Sequence, residues 1–132
     1  MEETLRRIEE FHGHVGPYAV LGYKMGVIAN QNLGQNPFNK NVTVYTDTEP
    51  PYSCIVDGIQ LSSSCTLGKG NIKIAPSNSI KAEFINKQDK KIIIVLKPEI
   101  QKEIDTQVNE DNMLQYSEKY YQMSNSDLFE IK

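Results

Sequence analysis

The chain has 132 residues, of which 39% are hydrophobic and 23% charged, and it carries a formal net charge of −3. That length suits one compact domain with a real core, expected over 1–132. The mild acidity leaves no electrostatic footprint for nucleic acid, and no run approaches the ~18 apolar residues of a membrane span.

The opening Met1-Glu-Glu-Thr-Leu-Arg-Arg7 lacks the apolar core of a secretory signal, and two cysteines make no disulfide scaffold. A cytoplasmic home with reduced thiols is the expectation. Residues 3 to 12 read as an amphipathic helix, with Leu5, Ile8 and Phe11/His12 at spacings of three and four, Thr4 as cap and Gly13 as stop. Pro17 suits the first turn of a second helix that runs to about Leu33. On it Gly22 and Gly26 lie four apart on one face, where another backbone can approach closely. The Asn/Gly/Pro-rich stretch 32–41 is a loop, and Val42-Thr-Val-Tyr-Thr46 reads as a strand.

From Tyr52 to about Ser63 the spacing turns helical, with Ser53 as a cap. Strand candidates follow at 71–75, 80–86 and 91–97, and the apolar run Ile92-Ile-Ile-Val-Leu96 predicts a strand buried on both faces. Helices are expected over 99–108 and 111–122, then a short capped turn at Ser124. The Tyr116/Tyr120/Tyr121 cluster reads as the apolar side of the last helix, with an interface role open. The order predicts an α+β fold, helices against a mixed or antiparallel sheet of about four strands.

Only four soft or borderline metal ligands occur: His12, His14, Cys54 and Cys65. Two imidazoles and two thiolates suit tetrahedral zinc, and would also serve iron, cobalt or nickel. His12 and His14 can share an ion only if the helix ends between them, which Gly13 permits; otherwise His14 ligates and His12 packs or supports it. Cys54 falls near a helix start, where the dipole favours a thiolate, and Asp57 and Gln60 follow on its face as outer supports. A helix from 54 to 63 is ~13–15 Å long, which sets Cys54 and Cys65 near its opposite ends. The turn Gly68-Lys69-Gly70-Asn71 fails as a phosphate-binding P-loop, because Gly70 stands where Ser or Thr is required, but could still cradle an anion.

Three readings stay open on these residues. The first is a metal-binding protein, zinc foremost, with an open position for a small molecule. The second is a non-catalytic accessory module that binds a cofactor or partner. The third is a reversible Cys54/Cys65 redox pair without metal.

Phe11-His-Gly-His-Val-Gly-Pro17, the helix with Gly22-Tyr-Lys-Met-Gly26, and Cys54-Ile-Val-Asp-Gly-Ile-Gln60 followed by Cys65-Thr-Leu-Gly-Lys-Gly-Asn71 are similar to the FmdE family, named for formylmethanofuran dehydrogenase. The resemblance covers roughly residues 8 to 75. It implies an α+β domain, often a homodimer, with a metal site built from the His-x-His segment and the cysteines, and an association with one-carbon metabolism. Members of that family commonly carry a cysteine where this chain has Gly16, and often a C-terminal zinc ribbon; no cysteine follows Cys65 here.

Overall fold

The computed structural model describes residues 1–132 as six helices and a five-stranded sheet. Helix α1 spans Glu3–His12 and buries Leu5 and Ile8. Its cap is Glu2, whose carboxylate accepts from the Thr4 and Leu5 amides; Thr4, the expected cap, already lies in the first turn. Gly13 ends α1 at φ 99°, a left-handed conformation that glycine adopts without a Cβ penalty. Helix α2, Pro17–Leu33, opens with the proline in its first turn and is buried along nearly its whole length.

Strand β1 (Lys40–Thr46) leads through α3 (Ile55–Ser63) to β2 (Ile72–Pro76), which pairs with β1 in parallel. Strands β3 (Lys81–Asn86) and β4 (Lys91–Leu96) add antiparallel ladders on the other side of β1. After helices α4 (Pro98–Gln107), α5 (Met113–Gln122) and α6 (Asn125–Leu128), the chain returns as β5 (Phe129–Ile131) beside β4. The sheet order is β2-β1-β3-β4-β5. The α+β expectation therefore holds, with a fifth strand that the three-residue Phe129–Ile131 segment was too short to announce.

One face of the sheet forms the core with Val42, Val44, Ala82, Phe84, Ile92, Ile94 and Leu96. Ile93 and Val95 are only half-buried, so β4 is covered on one face rather than two; its apolar run reflects β-branched packing rather than double burial.

Helix α5 is tied to α2 by Lys24, whose ammonium donates to the carbonyls of Tyr120, Tyr121 and Met123 at 3.1, 3.0 and 2.5 Å. These are carbonyls at the end of α5, where a cation complements the helix dipole. Tyr120 is fully buried and its hydroxyl donates to Glu103 on α4 at 2.7 Å, while Tyr116 and Tyr121 pack at the edge of the core. The Lys119 ammonium, donating at 2.9 Å, and the Tyr120 hydroxyl hold the Glu103 carboxyl below its ordinary range. A carboxylate whose folded pKa is depressed stabilises the fold above its unfolded value of about 4.3 and loses that contribution as pH falls through the folded value. The stability gap between wild type and Glu103→Gln in urea unfolding is therefore expected to be largest near neutrality and to shrink below about pH 4. A gap independent of pH would mean that the carboxylate is not stabilised in the fold.

Candidate functional site

The site sits where α1 ends, α2 begins and α3 begins. What brings these three ends together is a seam of glycines between α2 and α3. Gly22 abuts the carbonyl of Ile55, Gly26 abuts the Ser62 hydroxyl, and Gly58 abuts the carbonyl of Ala19 and the Tyr23 nitrogen. A Cβ at Gly58 would stand 2.5 Å from that nitrogen, inside van der Waals contact. The close approach expected of Gly22 and Gly26 is thus met, and Gly58 answers from the other helix.

This docking sets the first turn of α3 against the end of α1. His12 Nδ1 lies 2.6 Å from Asp57 Oδ2. A carboxylate at that distance calls for a proton on Nδ1, and in the neutral ring Nε2 is then the lone-pair nitrogen. His12 Nε2 is buried and has no hydrogen-bond partner. The His14 ring lies 4.7 Å from that of His12, centroid to centroid, tilted by 44°. Gly13 allows this, because the helix ends between the two histidines. Gly16 carries no side chain to crowd His14; a Cβ there would stand 3.1 Å from His14 Nε2.

Both histidines, with Cys54, line a cavity of about 280 Å³. Cys54 closes a short 3₁₀ turn, Tyr52–Cys54, immediately before α3, and no side chain caps that helix, so Ser53 does not play the expected part. Burial, and then the charge of Asp57, push the Cys54 thiol above its ordinary pKa. The expected thiolate at a helix start is outweighed by these two effects.

The other expected residues lie elsewhere. Cys65 is fully buried beyond the far end of α3, with its sulfur 3.9 Å from the Lys40 carbonyl, and burial raises its pKa. The nine residues of α3 stand between the two cysteines, a rise of about 13 Å, beyond the ~7 Å Cα separation a disulfide tolerates. Gln60 turns toward the glycine-rich turn and accepts from the Leu67 amide at 2.9 Å. In that turn the Thr66 hydroxyl accepts from the Lys69 amide and ammonium, and Asn71 bridges the Thr66 amide and the Pro37 carbonyl. Its side chains are engaged in holding the turn together.

Three polar residues of the cavity, Tyr18, Tyr52 and Asp105, carried no functional signal in the sequence. Tyr18 donates to Asp105 Oδ1 at 3.0 Å and Tyr52 donates to Asp105 Oδ2 at 3.2 Å. Their rings meet edge-on with centroids 5.4 Å apart. Tyr18 follows the histidine segment directly, but Asp105 sits 87 positions away and has no local signal.

As they stand, no three His, Cys, Asp or Glu side chains converge tightly enough to hold an ion. The donor types nevertheless fit a borderline divalent metal: an orphaned nitrogen on an imidazole fixed by a carboxylate, a second imidazole beside it, and a thiol on the same cavity.

Known proteins share parts of this chain and its fold. Over 77 residues the chain is 31% identical to a probable S-adenosyl-L-methionine-binding protein of Archaeoglobus fulgidus, a match covering 54% of this chain and 20% of that protein. The chain thus spans about a fifth of the length of that curated relative. A tungsten formylmethanofuran dehydrogenase FmdE-like protein from Syntrophus aciditrophicus shares the fold, with a TM-score of 0.66 and 23% identity, over 98% of this chain and 69% of that one. Residues 11–130, from the histidine segment to the last strand, match the family described as FmdE, molybdenum formylmethanofuran dehydrogenase operon, and the chain belongs to that family.

Proposed function

We propose that this FmdE-family domain binds one divalent transition metal, zinc foremost, at His12 and His14, with Cys54 as the thiol that completes the set. The observation that carries the reading is His12 Nε2: a buried ring nitrogen without a partner, on an imidazole held by Asp57. A buried polar atom left unpaired costs about 1–3 kcal/mol, and a metal bond would remove that cost. A bound ion would supply Lewis acidity at the cavity. This chain's residues supply the rest. Asp57 fixes the tautomer and direction of His12, Gly13 lets the two imidazoles face one space, and Gly16 leaves the His14 side of the cavity open to a small ligand. The proposal extends to a setting beside one-carbon, formylmethanofuran-linked chemistry, which the family description and the name of the structural relative support.

Elemental analysis of untagged protein tests the reading. About one zinc, iron, cobalt or nickel per chain is expected in wild type and in Cys65→Ser, because Cys65 lies apart from the cavity. Loss of the metal is expected in His12→Ala and in Cys54→Ser. No metal after reconstitution, or metal retained in His12→Ala, would overturn the proposal.

A further inference from the structure

The cavity carries a second polar group that the metal reading does not use. The Asp105 carboxylate accepts one hydroxyl on each oxygen, from Tyr18 and Tyr52. A carboxylate has about four acceptor sites, so two remain to face a ligand. Tyr18 is 2% exposed, whereas Asp105 is exposed at the cavity mouth, so the tyrosines fix the carboxylate from the protein side. None of the ion pairs of the chain includes Asp105. The cavity lining contains no lysine or arginine.

We infer that this cavity takes a small organic cation, whose charged end sits at the outward side of the Asp105 carboxylate that Tyr18 and Tyr52 hold in place. A carboxylate fixed by two hydroxyl donors and left with free acceptor sites matches an ammonium-type group through charge. An anionic ligand would meet Asp105 with no cationic side chain to compensate it. Ile104, Val108 and Met113 flank Asp105 and cover the apolar remainder of the ligand, with the methionine as an adaptable wall. The inference stands apart from the metal proposal, because none of these groups is offered as a ligand to an ion.

The probe pair is choline and its uncharged isostere 3,3-dimethylbutan-1-ol, titrated by NMR into chelator-treated wild-type protein and two variants. Choline is expected to bind wild type about tenfold or more tightly than the isostere. Asp105→Asn removes the charge, keeps an acceptor for one of the two tyrosines, and is expected to erase that preference while the isostere still binds. Tyr52→Phe retains the carboxylate and is expected to retain the preference, which guards against a fold defect in the first variant. Equal affinity of the two probes, binding of neither, or a preference that survives Asp105→Asn would overturn the inference. Because the titration uses chelator-treated protein, its outcome does not depend on whether zinc binds, and failure of the metal proposal leaves it intact.

Discussion

Gly58→Ala is expected to cost at least about 3 kcal/mol, the upper range for overpacking, and so to lower the melting temperature by roughly 10 °C or prevent folding. The added methyl would meet backbone atoms of α2, the Ala19 carbonyl and the Tyr23 nitrogen, which cannot swing aside as a flexible side chain would. Relief requires the two helices to separate along the seam that joins Gly22 to Ile55 and Gly58 to Ala19. The control is Gly68→Ala, where a Cβ would meet nothing nearer than the Thr66 hydroxyl at 4.0 Å. That variant is expected within about 1 kcal/mol of wild type. Thermal unfolding of both proteins decides the matter, and comparable melting temperatures would show that α2 and α3 are not packed backbone to backbone.

The second large effect concerns zinc. With zinc at one hundred times its dissociation constant, one-site binding adds about 2.7 kcal/mol to stability, a rise of roughly 10 °C. Asp57→Asn is expected to weaken the site by about 10–100-fold, the usual cost of losing a carboxylate that orients a ligating histidine. At the same zinc concentration the gain then falls to about 0.4–1.4 kcal/mol. His12→Ala is expected to abolish the shift. An equal zinc-induced rise in wild type and Asp57→Asn would show that the 2.6 Å contact between His12 and Asp57 does not serve a metal site.

Much of this architecture is written in local chemistry. Gly13 and Pro17 mark the end of one helix and the start of the next because each has a backbone property that suits its position. Alternation along Val42-Thr-Val-Tyr-Thr46 places Val42 and Val44 in the core, as a period of two requires. Ser124 caps its short helix by accepting from the Asp127 amide. Where local signals stop, so does the legibility. The parallel pairing of β1 with β2 depends on how α3 packs, which no strand-level pattern reports. The site divides in the same way. His12, His14, Cys54 and Asp57 were conspicuous by type and spacing, and they border one region. Gln60 and Cys65 shared their motif but face elsewhere, since a helix turns successive residues to different sides and carries its two ends apart. Asp105 was invisible because an exposed aspartate on an amphipathic helix looks like any solvated charge until Tyr18 and Tyr52 are found against it.

The glycine seam has a consequence for how this scaffold can be retuned. Two helices whose closest approach runs through glycines have little side-chain layer that can be trimmed or enlarged, so the part of the cavity set by the starts of α2 and α3, Pro17, Tyr18 and Cys54, is inherited as a casting. The opposite wall, Ile104, Asp105, Val108 and Met113, rests on ordinary side chains from α4 and the start of α5. Selection for a reshaped cavity, in nature or in a directed library, has its freedom on that movable jaw, while the fixed jaw stays as it is.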